Sequence, residues 1–208
     1  MKIPFFRGEL LRRSSLVFLS AFSSSLIALI ANLIIADLLK SENFGNFKTV
    51  IYLFAFLPML FDLGINVSLT KYVAELGKNR KKINYVINWF LKIKFVSFVF
   101  LILITFLLKD YIALYFLKDA SLSYLVFAGI FLAASSFFLT FHFIVLGFQN
   151  FKLFSLSQFL NSVLPAVFAV WLAPLGVFYM ILGWGAGFIM SSIPNILFLL
   201  KNRVFGNY

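Results

Sequence analysis

Asp62, Asn66, Thr70 and Lys71 are the residues whose types and spacing are best suited to chemistry. They fall in the stretch MLFDLGINVSLTKYVAEL, residues 59–76, inside a sequence that is apolar for tens of residues on either side. Steps of four place Asp62, Asn66 and Thr70 on one face of a helix, with Lys71 close to that face. A carboxylate near the middle of a bilayer costs roughly 3 kcal/mol on insertion scales, so this face must look at something other than lipid. Gly64 weakens the helix locally, and Pro58 removes a ladder bond and favours a kink. A polar face beside bent backbone suits a helix that lines a watery cavity. It also suits a buried acid bonded to a neighbouring helix, and residue types leave both readings open.

Weaker candidates surround this stretch. Asn161, with Gln158 and Pro165, either lines the same cavity or bends and staples its own helix. Asn32 belongs to a row of small and polar residues, Ala21, Ser25, Ala28, Asn32 and Ala36, that shares one helix face. Gly129, Ala133, Ser136 and Thr140 form a second row, and Gly183, Gly187 and Ser191 a third. Rows of small residues let helices approach closely in lipid, where oily side chains gain nothing by leaving the acyl chains for one another. Helix packing is the expected role of Gly183, Gly187 and Ser191. His142 shares a face with Ser135 and is read as a packing residue before a proton relay, and Pro194 is expected to kink its helix.

The elements that hold these residues follow from composition. Of 208 residues, 62% are hydrophobic and 12% charged, with thirty phenylalanines, and the mean hydropathy is +1.01. A soluble domain of this length carries far more charge. Apolar runs of about 20 residues, enough to cross about 30 Å of hydrocarbon, recur six times. The expected spans are 15–36, 49–71, 86–108, 123–146, 157–173 and 176–200, the fifth being short. Continuous runs such as FVSFVFLILITFLL do not alternate as barrel strands would. The reading is an all-α polytopic transmembrane bundle forming one six-helix unit over 1–208. The longest connection, 108–121, carries Tyr111, Tyr115 and Phe116 and reads as a loop with aromatic anchors, or else as a segment lying on the membrane surface.

The net charge of +11 is a topology signal. Fourteen basic residues fall before the first span, around the second and fourth connections and after the last span, against four on the other side: Lys40, Lys48, Lys109 and Lys118. Lys92 and Lys94 are counted with the larger group. The positive-inside rule then places both termini in the cytoplasm, in a multi-pass protein of the cytoplasmic membrane. Anionic headgroups of the lipid bilayer are a natural partner for such a surface, and nucleic acid is not. The amino-terminal apolar run is too long for a signal peptide and reads as a retained helix. No cysteine occurs, so disulfides and thiolate sites are excluded. A single histidine and seven acids, without HExxH, GxSxG, P-loop or dinucleotide patterns, give no catalytic residue, metal site or cofactor to expect.

The segment LLKSENFGNFKTVIYLFAFLPMLFDLGINVSLTKYVAELGKNRKK resembles the first outer loop and second helix of polysaccharide-exporter flippases, in the multidrug/oligosaccharidyl-lipid/polysaccharide exporter superfamily. The resemblance is carried by Leu39, Glu42, Phe44, Gly45 and Phe47, then Leu63, Gly64 and Lys71. LGFQNFKLFSLSQFL extends it through Gly147, Phe151 and Lys152. It implies a transporter that moves lipid-linked saccharide across the cytoplasmic membrane by alternating access, through a cavity between two six-helix lobes. By that analogy Lys71 meets the pyrophosphate, and Asp62 and Asn66 meet sugar hydroxyls or a coupling cation. Members usually have twelve or more spans, so this chain is expected to be an amino-terminal lobe. Its partner would be a carboxy-terminal lobe or a second copy in a homodimer. A drug or small-metabolite exporter and a non-transporting membrane scaffold are the competing readings.

Overall fold

The computed structural model describes residues 4–62, 64–77, 79–119, 122–202 and 204. Among them the chain is helical and contains no strand: α1 (Pro4–Asp62), α2 (Ile65–Leu76), α3 (Arg80–Leu107), α4 (Lys109–Phe116), α5 (Ser123–Ser135), α6 (Leu139–Gly147), α7 (Phe151–Leu172) and α8 (Val177–Lys201). Short 3₁₀ turns at Ser136–Phe138 and Ala173–Leu175 extend α5 and α7. Six stretches are long and apolar enough to cross a membrane: Ser15–Leu39, Asn43–Asp62, Arg80–Leu107, Ser123–Gly147, Phe151–Leu175 and Val177–Lys201. The bundle is thus all-α and polytopic, as composition requires.

The first two spans belong to one helical run that doubles back. The Lys48 ammonium donates to the Asn32 amide oxygen. Sixteen residues of straight helix would hold these side chains about 24 Å apart. The axis therefore reverses between them, and Ile35, Leu39, Phe47, Val50 and Phe54 from the two arms share one core.

The boundaries of the second span need correcting. The expected helix over 49–71 is two helices, because α1 stops at Asp62 and Gly64 takes the left-handed conformation at φ 77° before α2 begins. A β-carbon makes that conformation costly, and glycine has none. The fifth span is longer than expected, since Asn150 caps α7 by accepting from the Leu153 amide at 3.3 Å. The 108–121 connection contains the short helix α4, whose Tyr111, Tyr115 and Phe116 are exposed while Ala113 is buried. Pro58, Pro165 and Pro194 all lie inside helices.

The buried face of the first arm is not the expected row. Ser20, Ser24, Ala31, Ile35 and Leu39 are buried, whereas Ser25 is exposed and returns its hydroxyl to the Ala21 carbonyl at 3.0 Å. Ser20 and Ser24 instead reach Gln158 of α7, at its side-chain and main-chain oxygens.

Helices α7 and α8 have the most extensive contact in the molecule. A β-carbon on Gly187 would lie 2.3 Å from the Pro165 backbone, and one on Gly183 would lie 2.6 Å from the Phe168 carbonyl oxygen. Such approach replaces the hydrophobic drive that lipid cannot supply.

The apolar interior is divided into two clusters. One gathers Ile35, Phe47, Phe54, Leu101, Leu125 and Ile181 with their neighbours. The other gathers Leu69, Val73, Ile83, Ile87, Ile144, Leu199 and Val204 at the end that carries Arg80 and Lys201. Along the chain, the buried polar residues Lys94 of α3, Ser135 and Thr140 of the fourth span, and Ser191, Ser192 and Asn195 of α8 fall between the two clusters. The candidate site lies at that level.

Candidate functional site

The break between α1 and α2 leaves two helix ends facing each other. The carbonyl end of α1 carries partial negative charge, as does Asp62 on it, and the amide end of α2 carries partial positive charge. Asp62 Oδ2 accepts from the Asn66 amide at 3.3 Å, so the carboxylate serves one of the unpaired donors at the start of α2. Its other oxygen lies 2.9 Å from Lys94 Nζ, and the same ammonium donates to Asn66 Oδ1 at 2.8 Å. The Lys94 side chain is 3% exposed and that of Asp62 18%. A lysine buried midway along a spanning helix needs such compensation, because an unpaired ammonium in that environment costs several kcal/mol (roughly 3 or more). The Lys94 ammonium also lies 5.8 Å from the Phe98 ring centroid.

Lys94 is the principal residue that sequence reasoning missed. Charge counting groups it with the basic connection, yet α3 begins at Arg80 and places it in the middle of a span. A basic residue inside the expected span 86–108 was the available signal. Its reach across to Asp62 and Asn66 had none.

These three residues form one wall of a cavity of about 260 Å³, shared with Pro58, Met59 and Phe143 among others. Ser136 and Leu139 also line it and belong to a second irregularity. There the fourth span tightens into its 3₁₀ turn, where the Ser135 hydroxyl donates to Leu132 O at 2.7 Å and the Ser136 hydroxyl to Ala133 O at 2.6 Å. Hydroxyls that bond back to the preceding turn bend helices in this way. The α1–α2 break and the tightened turn of the fourth span therefore meet at the same cavity.

The remaining predicted residues lie elsewhere. Thr70 donates to the Asn66 carbonyl at 2.9 Å and to the Phe143 carbonyl at 3.0 Å, so it ties α2 to α6 and is absent from the cavity wall. Lys71 has a side chain 72% exposed and 3.8 Å from Glu75, and it does not reach Asp62. Asn32 is engaged by Lys48 at the reversal of α1. Asn161 accepts from the Ser191 hydroxyl at 3.0 Å, which staples α7 to α8. Ser157 and Asn195 make a second staple at 2.7 Å that the sequence did not single out. His142 stacks on Phe154 with centroids 4.1 Å apart. Among the described residues, no group of three or more metal-ligating side chains occurs.

The site can thus exchange partners without bond chemistry. Lys94 is an ammonium held by one carboxylate and one amide oxygen at the edge of a cavity. Comparison with known proteins adds one finding: a family model described as polysaccharide biosynthesis protein matches residues 10–205. No curated protein and no solved structure matches the chain.

Proposed function

Because the chain belongs to the polysaccharide biosynthesis protein family, we propose that this multi-pass membrane protein is one lobe of a flippase for lipid-linked saccharides. The lobe works by alternating access and catalyses no covalent step. Its membrane is the cytoplasmic membrane, with the basic end inside. A second lobe, from a carboxy-terminal half or a second copy of this chain, closes the other side of the path.

The observation that carries this reading is the Lys94 ammonium, held by Asp62 and Asn66 on the wall of a cavity beside the α1–α2 break. Discontinuous helices at the midplane are where transporters place substrate groups. A pyrophosphate brings more negative charge than Asp62 and takes Lys94 as a charge-assisted donor. Asp62 and Asn66 then accept from sugar hydroxyls, and the α1–α2 break is freed to move. This reading replaces Lys71 by Lys94 as the phosphate contact.

Complementation of a strain blocked in surface-polysaccharide export, with surface expression measured in parallel, tests the proposal. Asp62→Asn and Lys94→Gln should each reduce export at least tenfold at normal membrane abundance, while Lys71→Ala should retain it. Full export by both Lys94→Gln and Asp62→Asn would overturn the reading.

A further inference from the structure

On the face of α3 away from the candidate site runs a larger groove, about 600 Å³ in volume, lined by Tyr85, Asn88, Trp89, Lys92 and Ser97 with two aliphatic neighbours. Lys92 and Lys94 are two residues apart, about 200° around the helix, so one ammonium points inward while the other stays outside. Lys92 is exposed and, among the described residues, has no hydrogen-bond or ion-pair partner.

The groove is graded along the helix. Counting about 20 residues of hydrocarbon thickness back from Lys109 brings the basic-side boundary of the bilayer to Trp89. Tyr85 and Trp89, 68% and 52% exposed, then lie at the headgroup level that such rings favour. Lys92 lies one turn deeper and can extend its ammonium back to that level. Beyond it, Ile93 and Val96 are exposed, and the Ser97 hydroxyl is turned onto the Ile93 carbonyl at 3.1 Å. The shallow end offers an ammonium, an amide and a phenol, with no acid among the described lining residues. Apart from that turned hydroxyl, the deep end offers apolar surface.

We propose that this groove is a binding site for an anionic phospholipid of the leaflet at the basic end, with its phosphate on Lys92 and Asn88 and its acyl chains against Ile93 and Val96. The charge is complementary, the polarity gradient matches that of a lipid, and the site faces away from the Asp62–Lys94 cavity. The assignment stands whether or not the protein flips a substrate.

The test uses the full chain in phosphatidylcholine bilayers, with Trp171→Phe and Trp184→Phe leaving Trp89 as the fluorophore. Brominated phosphatidylglycerol should quench Trp89 at a roughly fivefold lower mole fraction than brominated phosphatidylcholine. Lys92→Gln should abolish that preference, and Lys92→Arg and Lys201→Gln should keep it. As a check that needs no tryptophan variant, mass measurement of the detergent-extracted protein should find phosphatidylglycerol retained by the parent and lost from Lys92→Gln. Equal quenching by both lipids would overturn the proposal. So would absence of quenching by either, which would mean that protein covers the groove, or displacement of phosphatidylglycerol by stoichiometric polyprenyl pyrophosphate, which would make it a substrate site.

Discussion

Lys94 and Asp62 are worth more together than apart. Removing one charge leaves the other buried without compensation, and breaking a buried pair in this way costs about 3 kcal/mol or more, reduced here by the partial opening of Asp62 to the cavity. Lys94→Met should therefore lower the thermal midpoint in detergent by several degrees, and Asp62→Asn combined with Lys94→Met should recover most of the loss. A double mutant as unstable as the worse single would contradict the pairing. Lys71→Ala, by contrast, removes an exposed pair worth about 0.5 kcal/mol at most and should leave the midpoint within about a degree. Spacing made Asp62 and Asn66 legible as a pair, because both lie in one local stretch. Their partner comes from another helix, and a single sequence carries no record of which helix packs beside which. Thr70 and Lys71 continue the count of α2 from Asn66, but Thr70 turns to the Phe143 carbonyl and Lys71 to the exposed face.

At the scale of elements, the interruption and the close crossing make opposite demands on glycine. Gly64 has open space where a β-carbon would sit but a left-handed backbone, so Gly64→Ala strains the chain without a clash. A loss of about 1 to 2 kcal/mol is expected, less for Gly64→Asn, read by denaturation of the purified protein. Gly187 has ordinary helical backbone and no room, since its β-carbon would meet the Pro165 backbone at 2.3 Å. Gly187→Leu should separate α7 from α8 and abolish the monodisperse species in gel filtration, an outcome that Gly64→Ala should not produce. The glycine row at 183 and 187 could be read from spacing because both packing and helical repeat are periodic. The staples Ser157–Asn195 and Asn161–Ser191 could not, as each depends on the rotation of α7 against α8. Helix α7 exceeds its expected length for a local reason: its cap at Asn150 precedes two turns in which Lys152, Ser155, Ser157 and Gln158 dilute the apolar signal.

For the molecule as a whole, six spans and their order were legible from hydropathy alone, because chain length in lipid is set by bilayer thickness. The fold-back of α1 and the separation of the interior into two clusters were not, since both depend on contacts between distant segments. The natural absence of cysteine makes the whole path open to labelling. The variants Asn66→Cys and Val67→Cys, on the cavity wall, should react with a membrane-impermeant thiol reagent, while Ile144→Cys, fully buried among Leu69 and Ile87, should not. Equal silence at all three positions would close the cavity to water. The polar level between the clusters carries one more consequence. Its bonds are few, directional and exchangeable, so the two greasy halves should lose structure separately on heating, giving a broad calorimetric transition. A ligand gripping Lys94 would bridge the halves, and the melting would sharpen into a single event.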